Sequence, residues 1–120
     1  MNPQLDADAQ QKLQELQILE HNLQNILAQK QAFQMELNEV LNALEEVNKS
    51  DHQIYKMVGS IMVSVEKIAT VKELDEKKKL LEIRNDSLSK QEQLLETKAR
   101  ELQEELRKII DKKSPSVKNK

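Results

Sequence analysis

Aliphatic residues recur every seven positions along most of this chain, with Gln, Glu, Asn and Lys filling the positions between them. In the first half, one stripe is Leu16, Leu23, Lys30, Leu37 and Leu44. A second, three residues later, is Leu19, Ile26, Phe33, Val40 and Val47. Stripes alternating at three and four residues share one face of an α-helix and read as the a and d positions of a coiled coil. The spacing predicts a helix over 5–48. Lys30 interrupts the first stripe, and a polar a residue sets register or partner choice at some cost in stability. In the second half, Leu74, Leu81, Leu88, Leu95, Leu102 and Ile109 keep the same step and predict a helix over 70–111. Thr70-Val71-Lys72-Glu73 ahead of it matches a capping box, in which Thr70 caps the helix and Glu73 reaches back.

Between the helices the period changes from helical to strand-like. Asn48, Lys49, Ser50 and Asp51 form a polar cluster that ends the first helix. Ile54 to Val58 and Ile61 to Val65 are β-prone runs around Gly59-Ser60, which predicts a hairpin over 52–66. Gly59 supplies the positive φ of a type II′ turn. That turn sets Val58 opposite Ile61, Lys56 opposite Val63 and Ile54 opposite Val65. One face then carries Ile54, Val58, Ile61, Val63 and Val65; the other carries Tyr55, Met57, Met62 and Ser64. A lone two-stranded hairpin is marginal in water, and both of its outer edges are unpaired. Its apolar surface needs a cover. The simplest cover is assembly, with hairpins of several chains pairing into a shared sheet or barrel.

The two helical segments are nearly equal, about 40 residues or roughly 60 Å each at the α-helical rise. A tight turn at Gly59-Ser60 folds them back on each other. In that register Leu44 meets Leu74, Leu37 meets Leu81, Lys30 meets Leu88, Leu23 meets Leu95 and Leu16 meets Leu102. The other seam is less apolar: Leu19 meets Ala99, but Ile26 meets Glu92, Phe33 meets Asn85 and Val40 meets Lys78. Either the helices pack through a narrow seam, or part of the second stripe of the first helix stays accessible. The expected fold is dominated by α-helix: a long antiparallel coiled-coil hairpin with one β-hairpin at the bend, in a single domain.

Composition agrees with a coil and narrows the chemistry. Aromatics are 2% of 120 residues, with Phe33 and Tyr55 standing alone, so no thick globular core is expected. One Gly and two Pro leave little material for loops. Residues 112–120, basic at Lys112, Lys113, Lys118 and Lys120 and broken by Pro115, read as a disordered tail. A net charge of −2 gives no support for general polyanion binding. The leucine repeat lacks the basic region of a DNA-binding zipper, because the stretch before it, Ile61 to Val71, is apolar. There is no cysteine, and no apolar run long enough to predict a membrane span. The polar start, with Asp6 and Asp8, does not look like a signal peptide, so a cytoplasmic protein is expected. His21 and His52 are isolated and share no metal-ligand spacing. No Gly-rich phosphate loop, nucleophile with a base, or carboxylate pair in a predicted pocket is evident, so neither an enzyme nor a cofactor is expected.

Several stretches resemble the β class of prefoldin subunits. They are Gln29-Lys30-Gln31, Ala43-Leu44-Glu45-Glu46, Tyr55-Lys56-Met57-Val58-Gly59, Leu81-Glu82-Ile83-Arg84, Lys90-Gln91-Glu92 and Leu102-Gln103. The Tyr-Lys-x-Val-Gly segment between two equal coils is the most specific of them. A single hairpin between the helices resembles the β class, since the α class has two. The resemblance implies an ATP-independent chaperone: a hexamer of two α-class and four β-class subunits whose hairpins build β-barrels. Its coiled-coil tips hold non-native proteins and pass them to a group II chaperonin. On this sequence it implies an assembly surface of Ile54, Tyr55, Met57, Val58, Gly59, Ile61, Met62, Val63 and Val65. It implies client-binding tips at Leu5, Leu13 and Leu16 and at Leu102, Leu106, Ile109 and Ile110.

The rival expectation is a structural homodimer, a scaffold or tether in which two chains pair in parallel. The segment from Ile54 to Val65 discriminates between the two. A rod gains nothing from a β-prone apolar insert at its midpoint, and a barrel-forming subunit needs one.

Overall fold

The computed structural model describes the backbone of residues 3–113 and the side chains of residues 7–112. The chain runs α1 (Pro3–Lys49), β1 (Ile54–Val58), β2 (Ile61–Val65) and α2 (Lys67–Lys113). This is the expected coiled-coil hairpin with a small antiparallel β-hairpin between its helices. It divides into two compact units: a hairpin unit of residues 29–88, and a terminal unit of residues 1–28 with 89–120. Both helices contribute to each unit.

In the hairpin unit the heptad stripes turn inward. Val40, Leu44 and Leu81 form its buried core, with Phe33, Leu37, Val71 and Leu74 packed against them. Leu81 is the most buried side chain, at 2% exposed. The second stripe of α1 is covered as well, because Val40 keeps only 4% of its surface. The α2 residues of that seam, Lys78 and Asn85, are half-buried. Long polar side chains close a seam with their stems while their heads stay wet. Asn85 Nδ2 donates to Gln34 Oε1 at 3.4 Å, and the Arg84 guanidinium lies 6.0 Å from the centre of the Phe33 ring, within cation–π range. Asn85 Oδ1 is buried with no hydrogen-bond partner.

The bend is fixed by a small number of polar contacts. Ser50 N–H donates to the carbonyls of Glu46 and Val47 at 3.1 and 3.3 Å, closing the last turn of α1. Lys67 Nζ donates to the carbonyls of Asn48 and Ser50 at 3.2 and 3.0 Å. A cation on these orphan carbonyls suits the negative end of the helix dipole. The start of α2 differs from expectation: the helix begins at Lys67, three residues before Thr70. Thr70 N–H and Oγ1 both donate to the Glu66 carbonyl, at 3.0 and 2.7 Å. Thr70 therefore sits in the first turn, and the capping box read in the sequence does not form. β2 ends at Val65, so Glu66 alone links strand to helix and its carbonyl takes the first helical bond.

In the terminal unit Leu16, Ile26 and Ala99 are buried, with Leu19, Leu23, Leu95, Leu102, Leu106 and Ile109 half-buried around them. Lys12 Nζ bonds Glu105 Oε2 across the two helices at 2.8 Å. That hydrogen bond, with the charges of Glu105, Asp8 and Glu15, holds the Lys12 pKa above its ordinary value. Lys112 and Lys113 continue α2 where a tail was expected. The remainder of that expected tail, 114–120, lies outside the described residues.

Candidate functional site

The β-hairpin is the most exposed apolar element described. β1 and β2 pair antiparallel with Ile54 opposite Val65, Tyr55 opposite Ser64, Lys56 opposite Val63, Met57 opposite Met62 and Val58 opposite Ile61. This is the register that the turn chemistry predicted. Gly59 has φ 63°, and no other described residue has positive φ, so Ser60 is excluded from the type I′ geometry and the turn is of the II′ kind. A side chain at Gly59 would meet no atom, so only its backbone conformation demands glycine.

Polar contacts tie the base of the hairpin to the coil and leave its tip bare. Gln53 Nε2 donates to the carbonyls of Ile54 and Val65 at 3.3 and 3.2 Å and to Ser64 Oγ, joining the two strands at their base. Lys56 Nζ meets Glu73 Oε1 at 3.3 Å, which turns the face of Lys56 toward α2. On that face a cleft of about 260 Å³ opens between the hairpin base and the coil, floored by Ala43, Val47, Ile54, Val65 and Leu74. Ile54 and Val65 are half-buried there, whereas Tyr55, Met57, Val58, Ile61, Met62 and Val63 are exposed. The two-stranded sheet has no third strand, so the outer backbone groups of both strands are unpaired within the chain.

The second region that the sequence singled out is the terminal unit. Its residues divide by burial. Leu16 is 8% exposed and belongs to the seam, while Leu13 at 48% and Ile110 at 59% face outward. Leu102, Leu106 and Ile109 are half-buried. The side chain of Leu5 lies outside the described residues. A groove of about 410 Å³ runs beside the seam, with Ile18, Leu19 and Leu102 as its apolar lining and Glu15, Lys98, Glu101 and Glu105 around them. Sequence reasoning missed Ile18, which is exposed. It falls outside both stripes, and the signal available was an aliphatic at a position where the coil calls for a polar residue.

Among the described residues, no group of three His, Asp or Glu side chains is placed to hold a metal ion. No helix of the described chain is long and apolar enough to cross a membrane.

An antiparallel coil carrying a bare, edge-exposed β-hairpin defines a class of protein: a helical hairpin with an open two-stranded sheet at its bend. Comparisons with known proteins specify which. Residues 10–113 match the family of prefoldin subunits. The prefoldin subunit beta of Sulfurisphaera tokodaii is 33% identical over 117 residues, covering 96% of this chain and 94% of that protein. That of Pyrobaculum islandicum is 39% identical over 97 residues, covering 79% and 78%. The crystal structure of the prefoldin beta subunit from Thermococcus strain KS-1 superposes with a TM-score of 0.77 at 36% identity, covering 89% of this chain and 92% of that one. The chain belongs to the prefoldin subunit family, in its β class. It is a chaperone subunit, and its partners are the other subunits of a multi-subunit complex.

Proposed function

We propose that this chain is one of four β-class subunits in a hexamer with two α-class subunits, and that the hexamer holds non-native proteins in the cytoplasm without nucleotide and passes them to a group II chaperonin. The observation that carries this reading is the exposed hairpin in a chain of this family. Its apolar residues are open on both faces, and its edges leave backbone donors and acceptors for neighbouring strands. Pairing the hairpins of several subunits into β-barrels satisfies those groups and buries Tyr55, Met57, Val58, Ile61, Met62 and Val63 together.

Clients then meet the terminal units. Leu13, Ile18 and Ile110 offer exposed apolar surface, the half-buried Leu102, Leu106 and Ile109 lie beside it, and Leu5 belongs to the same end of the chain. Leu16 contributes from within the seam. Burying what remains open on a half-exposed aliphatic side chain is worth about 1 kcal/mol. One subunit therefore grips weakly and several together hold by avidity, which suits a holder that must release. The homodimeric scaffold has no observation in its favour, since both stripes of each helix are used within the chain.

The test has two parts. Native mass of the complex recovered with this chain from its own cells should give two larger subunits and four copies of this one; a homodimer would overturn the assembly. In that complex, Leu13→Ser with Ile110→Ser should leave the mass unchanged and weaken suppression of client aggregation. Undiminished suppression would remove the client role of these positions.

A further inference from the structure

We propose that Met57 and Met62 form a paired oxidation site, and that their conversion to sulfoxides by peroxide prevents the free chain from joining its complex. This rests on assembly through the hairpin, as proposed above. The described residues include three methionines, Met35, Met57 and Met62, and they are 66%, 63% and 63% exposed. Met57 and Met62 are directly opposed in the ladder. Their side chains are therefore cross-strand neighbours on one face. That face is opposite to the one that Lys56 turns toward α2 through Glu73. Peroxide thus reaches both sulfurs from solvent in the unassembled chain.

The chemistry balances without a cofactor. A thioether sulfur attacks one oxygen of a hydroperoxide. An S–O bond forms, the O–O bond breaks, and the second oxygen leaves as water or an alcohol. The sulfur is oxidised by two electrons and the peroxide is reduced by two. The product replaces an adaptable apolar side chain with a polar, chiral one. Inside a closed sheet each new oxygen needs a donor. Among the described residues of that face, hydroxyl donors come from Tyr55 and Ser64 alone, in the next pair toward the strand base. A buried oxygen without a partner weakens association by roughly tenfold or more, and here two stand side by side in every copy.

Met35 supplies the internal control, since it is equally exposed but lies on α1 away from the hairpin. The experiment treats the full chain and the complex from its own cells with hydrogen peroxide, maps oxidation by peptide mass, and follows assembly by native mass. In the free chain all three methionines should oxidise at similar rates. In the complex Met35 should oxidise while Met57 and Met62 are protected at least tenfold. The oxidised free chain should lose at least tenfold in incorporation and regain it with methionine sulfoxide reductase. Met57→Leu with Met62→Leu should assemble normally and ignore peroxide. If Met57 and Met62 oxidise as fast as Met35 in the complex, or the oxidised chain incorporates unchanged, the proposal is overturned. In that event, loss of incorporation by Val63→Asp would show that hairpin assembly itself still stands.

Discussion

Val63→Asp separates folding from assembly. Val63 pairs with Lys56 across the strands, on the same hairpin face, and is 44% exposed in the single chain. A fully buried valine is worth about 1.5–3 kcal/mol, so the part still open contributes about 1 kcal/mol if neighbouring strands cover it. The larger effect is charge. A carboxylate taken out of water into a sheet interior costs several kcal/mol even after relaxation. The sum, at least about 4 kcal/mol for each copy, weakens association about a thousandfold. In the free chain the same substitution is cheap, because the aspartate stays wet and faces Lys56 across the strands, an opposite-charge pair worth up to about 1 kcal/mol. Circular dichroism should therefore show unchanged helix, and sedimentation should show a chain that no longer joins its complex. Met35→Asp, a charge placed on an exposed methionine of α1, should assemble normally. A complex of normal mass containing Asp at position 63 would refute the assembly role of this face.

Other perturbations test the coil. Leu81→Ala, at the centre of the hairpin-unit core, should cost about 2–5 kcal/mol in chemical denaturation, and an effect below about 1 kcal/mol would contradict the packing described. Asn85→Leu should raise the melting temperature, since it removes a buried oxygen that has no partner, a penalty of about 1–3 kcal/mol. The same variant should form more misregistered oligomers on refolding, because a polar a residue favours one alignment. In the terminal unit, Arg107 bonds Glu104 and Asp111 on the same helix. The hydrogen bond from Arg107, aided by its charge, holds the Glu104 pKa below the ordinary carboxylate value. A depressed carboxylate stabilises above its unfolded pKa and loses that contribution as pH falls through the folded one. Protection from hydrogen exchange at this end of α2 should therefore fall as pH drops through that lowered pKa and fall less in Glu104→Gln. An identical acid response in the variant would remove this pair as its cause.

Much of this protein is legible because its packing is one-dimensional. Leu16, Leu44, Leu81 and Leu88 announce their burial by a seven-residue step, and each proves buried. The β-hairpin is equally readable, because Gly59 is the sole glycine and the two-residue turn it permits fixes the whole register. Heptads specify a helix face well but say less about what closes it. The stripe alone left open whether Val40 and Ile26 stay accessible opposite Lys78 and Glu92. Tertiary packing buries both, because long polar side chains close a seam that their residue types alone would call open.

The ends of α2 divide in the same way. Thr70 to Glu73 satisfies the local pattern of a capping box, yet Lys67 begins the helix, because β2 ends at Val65 and Lys67 reaches the carbonyls of Asn48 and Ser50. Those carbonyls are distant in sequence, and no local motif encodes them. The candidate functional residues follow the same rule. Leu16 and Leu13 are both apolar positions near one end of the chain, and only the fold places the first in the seam and the second in solvent. Sequence by itself determined the helices, the turn and the pairing register, since each depends on spacing along the chain. The tertiary structure decided which apolar side chains remain available to other proteins, since that depends on what lies across from them.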